Sequence, residues 1–408
     1  MGYNKTVLPN GTRVVTEKVP NVYSISLGLC ITRGSIDETV EENGLSHFLE
    51  HLFFKGTTSR TAKDIAVEVD SIGGELNAFT SREFTYFYAK FIDEHLQKVW
   101  HLIADILTNS KFGMEEIELE RNVILEEIKS FNDSPTDQAL HLLSSCLFSP
   151  HPISYSIMGP EENIKRFNRT DILNFRSRHY KGNNLIIGGA GNIEHSVLLE
   201  LVASLNFLTG NESHKANQYP QNTLKYKYLK KSDISQSHIA IGTRIVGYRS
   251  ELRYTWLLLN TLLGNGMSSR LFQRLREKEG LVYEVVSFLE LLQEIGIFGV
   301  YFVTDPKNVN SAMDCIWDEF KSLLQNKLEP GELERTKGQL KGSLLLSLES
   351  TNTRMTRLLN NEKHLGRYVS VEETINNIDK VMPDDILSLA QSYLIPDIYS
   401  TSKVGPEG

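Results

Sequence analysis

Cysteine is scarce in this chain: Cys30, Cys146 and Cys315 are its three thiols among 408 residues. An odd number spaced so widely supports neither a disulfide framework nor a C-x-x-C pair, and a reducing compartment is the simpler setting. Nowhere does the chain reach the roughly 18 consecutive apolar residues of a membrane-spanning helix. Its first residues, MGYNKTVLPNGTRVV, carry no apolar signal core and no Arg/Ser-rich transit segment, so the protein is expected to work in the cytoplasm where it is made. Positive charge is also short. Lys and Arg number 43 against 51 Asp and Glu, and the formal net charge of -8 argues against nucleic acid or an anionic membrane as partner. Nucleotide signatures are missing as well. Gly188-Gly189-Ala190-Gly191 lacks the third glycine of a dinucleotide fingerprint, and neither G-x-x-x-x-G-K-[ST] nor G-x-S-x-G occurs. What remains is a composition with 40% hydrophobic and 23% charged residues, ample for two or more globular cores.

Against that background stands His-Phe-Leu-Glu-His at 47 to 51. On a helix, His47, Glu50 and His51 fall within an arc of roughly 100°. Leu45, Phe48, Leu49 and Leu52 supply apolar contacts around the rest of the helix, so the polar face must serve a purpose or meet water. Two neutral imidazoles can hold Zn²⁺, and a carboxylate beside them can accept a proton from water activated by the metal. The order H-x-x-E-H is the reverse of the H-E-x-x-H zinc peptidase motif. A third ligand is needed. Residues 115 to 131 form a second helical stretch with apolar Ile117, Val123, Ile124 and Ile128, and Glu120 and Glu127, seven apart, share one face beside that stripe. Six glutamates in thirteen residues is also ordinary helix surface, and spacing alone does not choose among them.

The chain also repeats itself. Ile25-Ser26-Leu27-Gly28 and Ile239-Ala240-Ile241-Gly242 are strand-like and 214 residues apart; Asp171-Ile172-Leu173 and Asp385-Ile386-Leu387, and Gly191 and Gly405, share that offset. One offset in three places indicates two related halves. The expected domains are 1–207 and 223–408, joined by a polar linker at 208–222. In the first half, strands are expected at 12–18, 22–33, within 75–91 and at 184–189. Helices are expected at 43–54, 61–72, 93–109, 115–131, 134–147 and 170–179. That pattern is α+β, a mostly antiparallel sheet with helices packed on one face in each domain. In the second half, Thr261, Gly264 and Asn265 stand where the first has His47, Glu50 and His51, so the metal site is single.

Four blocks, GLSHFLEHLFFKGT (44–57), GGELNAFT (73–80), ERNVILEE (120–127) and REKEGLVY (276–283), resemble the pitrilysin family of zinc peptidases, especially its mitochondrial processing peptidase branch and bacterial homologues. They occur in the family's order across most of the chain. The resemblance implies one zinc ion per chain held by His47, His51 and Glu127, Glu50 as general base, and Glu120 as a carboxylate supporting a ligand histidine. It also implies that Asn77 and Ala78 lie on a substrate-binding edge strand, where an extended peptide adds as a strand. Without it, Gly73-Gly74 reads as a turn before an ordinary strand. Arg276 and Tyr283 match the family's Arg/Tyr pair, which the C-terminal domain contributes to the substrate carbonyl; Arg270 and Arg274 read as solvated helix charges. The implied activity is endopeptidase action on short, unfolded or presequence-like peptides. Four such domains enclose a chamber in this family, so a two-domain chain carrying both the metal motif and the Arg/Tyr pair is expected to form a homodimer. The competing reading is a non-catalytic core or scaffold subunit, a class marked by degenerate zinc motifs.

Overall fold

Alternation of large apolar residues along extended segments sets the layers. In the strand SISLGLCI, Ile25, Leu27, Leu29 and Ile31 enter one core, while Cys30 enters a second core on the opposite face of the same sheet. The computed structural model describes residues 2–203, 205, 219–220, 224–326 and 328–406. The expected linker at 208–222 lies outside the described residues except for Tyr219 and Pro220.

The first half runs β1 (Gly2–Val7), β2 (Arg13–Lys18), β3 (Ser24–Ile31), α1 (Leu45–Phe53), α2 (Ala62–Ser71), β4 (Glu75–Thr80), β5 (Thr85–Ile92), α3 (Leu96–Asn109), α4 (Met114–Asp133), α5 (Pro135–Phe148), α6 (Glu161–Arg166), α7 (Arg169–His179), β6 (Leu185–Gly191) and α8 (His195–Val202). The second runs β7 (Tyr226–Lys230), β8 (Ser237–Val246), α9 (Arg253–Gly264), a π-helical stretch (Phe272–Lys278), β9 (Val282–Leu291), β10 (Ile295–Thr304), α10 (Val309–Asn326), α11 (Glu332–Ser347), α12 (Thr351–Leu365), α13 (Val371–Lys380), α14 (Pro383–Tyr393) and β11 (Ser400–Gly405). The strands and longer helices expected from the sequence are present within a few residues. β1, α6 and α8 are additions.

Two mostly antiparallel sheets result, ordered β1-β2-β6-β3-β5-β4 and β7-β11-β8-β10-β9. With β1 set aside, the two orders correspond strand for strand. Each has its parallel pair in the same place, β2 with β6 and β7 with β11. The duplication expected from the 214-residue offset is therefore expressed in topology: Gly191 and Gly405 each end the inner strand of that pair, β6 and β11.

Two compact units are not the contiguous stretches 1–207 and 223–408. The first comprises Met1–Ser130, Tyr155–Gln218 and Ser347–Tyr368; the second comprises Phe131–Ser154, Tyr219–Leu346 and Val369–Gly408. Each half thus lends one helix to the other's sheet. α12 packs Met355, Leu358 and Leu359 against Val15, Cys30 and Ile186 of the first sheet, each contributing about 1.5–3 kcal/mol on burial. α5 lies on the second sheet, where Ser402 Oγ donates to Ala139 O at 2.6 Å. The glycines at one repeat offset explain why a helix can come so close. A Cβ at Gly28 would overlap Met355 Sδ, and one at Gly242 would lie 2.9 Å from Leu143 Cδ2. The expected single helical face thus gains a helix on the opposite face in each unit.

The main core of the first unit lies on the other side of its sheet, among residues of α1, α3, α4 and α7 such as Phe48, Phe53, Trp100, Ile124 and Phe175. Cys30 and Cys146 are buried and Cys315 is partly exposed. Burial pushes the Cys30 thiol up to about 11 and raises that of Cys146. Since the thiolate is the reactive form, native protein should titrate one fast thiol with Ellman's reagent, that of Cys315, and all three after unfolding in guanidinium. A Cys315→Ser variant that keeps a fast thiol would contradict this burial pattern.

Candidate metal centre

Gly44 caps α1 with φ of 106°, and a Cβ there would lie 2.7 Å from the carbonyl oxygen of Met158, so no capping side chain can stand at this position. From Leu45 onward, Leu45, Phe48, Leu49, Leu52 and Phe53 are buried. The remaining face carries His47, Glu50 and His51, as the i, i+3, i+4 spacing predicts.

α4 supplies the acidic partner. Its buried face runs through Ile117, Glu120, Arg121, Ile124 and Ile128, while Val123, expected in that stripe, is 43% exposed. The helix is rotated so that Glu120 faces the protein in its place. Glu127, two turns further on, projects to the imidazoles. Its Oε2 lies 3.7 Å from His47 Nε2 and 3.6 Å from His51 Nε2. Among the described residues this is the one group of three or more His, Cys, Asp or Glu side chains able to share an ion, with one ligand atom from each within 4.8 Å of the others. Tetrahedral zinc ligands about 2.1 Å from the ion stand about 3.4 Å from one another. The donor set fits such an ion in type and spacing.

Protonation also suits metal binding. Burial, followed by the neighbouring His51, lowers the His47 pKa to about 3, so this imidazole is neutral at physiological pH, as a ligand must be. Glu120 fixes the second imidazole: its Oε2 accepts from His51 Nδ1 at 3.1 Å, leaving Nε2 turned toward Glu127. Lys55 Nζ meets the other oxygen of Glu120 at 2.7 Å. Glu120 therefore meets the candidate ligand His51 directly. Glu50 Oε2 accepts from Thr80 Oγ1 at 2.6 Å. Burial raises the Glu50 pKa, with the Thr80 hydrogen bond opposing that rise.

Among the described residues β4 forms one edge of the first sheet and pairs only with β5. Asn77 is exposed and Ala78 buried. The Ala78 N–H donates to Asn77 Oδ1 at 2.8 Å, so this edge amide is held by its neighbour's side chain.

Arg276 and Tyr283 belong to the second unit, where they meet each other. The guanidinium of Arg276 lies 5.8 Å from the Tyr283 ring centroid and 5.0 Å from that of Phe272. Arg276 sits within the π-helical stretch, a geometry frequent at functional sites. Arg270 departs from expectation. Instead of a solvated charge it is a half-buried fork, Nε 2.7 Å and Nη2 2.6 Å from the two oxygens of Glu332. Arg274 pairs with Glu279 at 3.3 Å. In α9, Thr261 Oγ1 donates to its own helix and Gly264 packs against the backbone of Ser287, so that helix presents no donor set.

Three neighbours of the centre went unmarked in the sequence reading. Lys55 was legible as i+4 from His51 on the same helix end. Thr80 lay in a quoted block but carries no spacing relation to Glu50. Glu38, whose carboxylate holds the start of α1, gives no local signal at all.

A histidine pair and a carboxylate on one helix, joined by a glutamate from another helix of a duplicated α+β unit, form a metallopeptidase-type donor set. Residues 13–161 match the family model for insulinase (peptidase family M16), and residues 166–340 match that for the peptidase M16 inactive domain. An uncharacterized zinc protease of Bacillus subtilis is 36% identical over 399 residues, 98% of this chain and 97% of its own. One from Rickettsia felis is 34% identical over 408 residues, 99% and 98% of the two chains. In fold, the chain is similar to the crystal structure of a protease from Helicobacter pylori, with a TM-score of 0.91 at 22% identity over 99% of each chain. A peptidase M16 inactive domain from Pseudomonas fluorescens gives a TM-score of 0.92 at 18% identity, over 100% of this chain and 99% of that one. The chain belongs to peptidase family M16, the insulinase or pitrilysin family.

Elemental analysis of purified variants checks the donor set. Glu127→Gln should lose bound metal, because two imidazoles alone remain. Glu120→Ala should retain it with affinity lowered about 10–100-fold. Undiminished occupancy in Glu127→Gln would remove that residue from the set.

Proposed function

We propose that this protein is a zinc-dependent endopeptidase acting on short, unfolded or presequence-like peptides. The observation that carries the reading is the convergence of His47, His51 and Glu127 on one point with Glu50 on the same helix. His47, His51 and Glu127 would hold one zinc ion per chain, which when bound polarises a peptide carbonyl and acidifies water. Glu50 takes a proton from the attacking water and delivers it to the departing amine; its raised pKa suits a group that must both accept and release. Thr80 orients that carboxylate. The open edge of β4 accepts an extended peptide as an added strand, displacing Asn77 Oδ1 from the Ala78 amide. Arg276 and Tyr283, which meet each other in the second unit, are a donor pair of the kind that serves a developing oxyanion.

A reading of backbone more than side chains favours unstructured substrates, because a folded chain has no free strand to lend. We further propose a homodimer acting in a bacterial cytoplasm. Among the described residues no helix is long and apolar enough to cross a membrane. The scaffold reading draws on the family model described as an inactive domain, but that match covers residues 166–340, which lie beyond the H-x-x-E-H helix.

Glu50→Gln tests the proposal. The variant should retain zinc at the wild-type level while cleavage of a quenched fluorescent peptide falls about 10²–10⁴-fold. Turnover surviving in Glu50→Gln would exclude this residue as base, and a metal-loaded wild type that cleaves no peptide would favour the scaffold.

A further inference from the structure

We infer that Glu38 is a positioning residue for the metal centre, its buried carboxylate setting where α1 stands and hence where His47 and Glu50 point. This inference rests on the metallopeptidase reading of the site. α1 is nine residues long, so its setting depends heavily on how its ends are held. The first amides of a helix have no partner within it. Here the usual remedy is closed off, because Gly44 has no side chain and its surroundings admit none. Glu38 takes that place from six residues upstream. Its Oε2 accepts from the Gly44 N–H at 2.9 Å and from Asn43 Nδ2 at 3.0 Å, and its Oε1 accepts from the Ser46 N–H at 2.7 Å. Ser46 immediately precedes His47, so the last of these bonds pins the amide next to a ligand.

The carboxylate is itself tied down. Glu38 is 3% exposed. Asn43, which donates to it, also donates to the Ser156 carbonyl oxygen at 2.8 Å, and its own carbonyl oxygen accepts from Asn163 Nδ2 at 3.0 Å. The segment before α6 and α6 itself thus bracket the start of α1. Negative charge at a helix N-terminus is also favoured by the aligned peptide dipoles. All three donors need an acceptor, and only an ionised carboxylate offers two oxygens that are both acceptors; burial raises the Glu38 pKa to about 7 and these three bonds oppose that rise. A glutamine would turn an NH₂ toward an N–H, losing one bond and adding a repulsion. The relaxation open to the chain is a shift or rotation of α1, which moves the imidazoles relative to Glu127 on a different helix.

A merely structural cap would lower stability and nothing else. Ser370 provides that comparison: it caps α13 by accepting from the Glu373 N–H at 3.0 Å, in the second unit. Glu38→Gln and Ser370→Ala should be compared as full-length proteins loaded with Co²⁺ or Zn²⁺. In Glu38→Gln, the visible absorption spectrum of bound Co²⁺ should change shape and the zinc dissociation constant should rise about tenfold or more. Its kcat should fall by a similar factor with KM within about twofold, since the peptide-binding edge is untouched. Ser370→Ala should alter the melting temperature alone. If Glu38→Gln fails to fold, Asn43→Ala, which removes one of the three bonds, should show the same changes in smaller measure. A wild-type Co²⁺ spectrum, zinc affinity and kcat in Glu38→Gln, or in Asn43→Ala where the former does not fold, would overturn the assignment. Because spectrum and affinity are read without turnover, a wild type that binds metal but cleaves nothing would sink the peptidase reading and leave this one to be decided by its own measurements.

Discussion

Glu120 is a carboxylate almost without access to water, tolerable in that position only because His51 donates to one oxygen and Lys55 to the other. A buried carboxylate without partners carries a penalty of several kcal/mol. The α1–α4 pairing is therefore tightly specified. Sliding or turning either helix by one residue would leave Glu120 unpaired and would move Glu127, two turns along, away from both imidazoles. One satisfied charge fixes the register on which the candidate ligand set depends, and the geometry of that set inherits its accuracy from packing around it. The start of α1 is held by the same device, a buried carboxylate accepting from the Gly44 and Ser46 amides and from Asn43 Nδ2.

The two halves show how far a shared fold is from a shared function. With β1 set aside their sheets correspond strand for strand, yet Thr261 and Gly264 of α9 and Asn265 just after it stand where α1 carries His47, Glu50 and His51. Gly264 lets its helix settle against Ser287, a contact that Glu50 in the equivalent place could not make. One copy filled the space with packing and the other kept it polar. The exchange of α5 and α12 between the two halves of the sequence rests on Gly28 and Gly242, whose missing side chains allow a helix to lie directly on the sheet.

Much of this was legible beforehand for physical reasons. His47, Glu50 and His51 could be placed on one helical face because the 3.6-residue period needs no tertiary information. Glu120 and Glu127 could be placed on a common face of α4 for the same reason, though only resemblance separated ligand from support. The strands were visible from apolar runs, and the duplication from a constant offset. Arg270 was misread because helical charge patterns look alike whether or not a Glu332 waits sixty-two residues away. Val123 was placed in the buried stripe because nothing local reveals that a glutamate takes the inward position.

The amino-acid sequence by itself determined which groups share a helical face, which segments are strands, and that the chain is built twice, since these follow from spacing within a single element. The tertiary structure alone decided that Glu127 reaches both imidazoles, that Lys55 and His51 share Glu120, that Thr80 meets Glu50, that Glu38 caps a helix whose own cap position is a glycine, and that each half lends a helix to the other. Those are relations between elements far apart in the chain. They depend on burial of apolar faces and satisfaction of buried charges, which no periodicity along one strand or helix encodes.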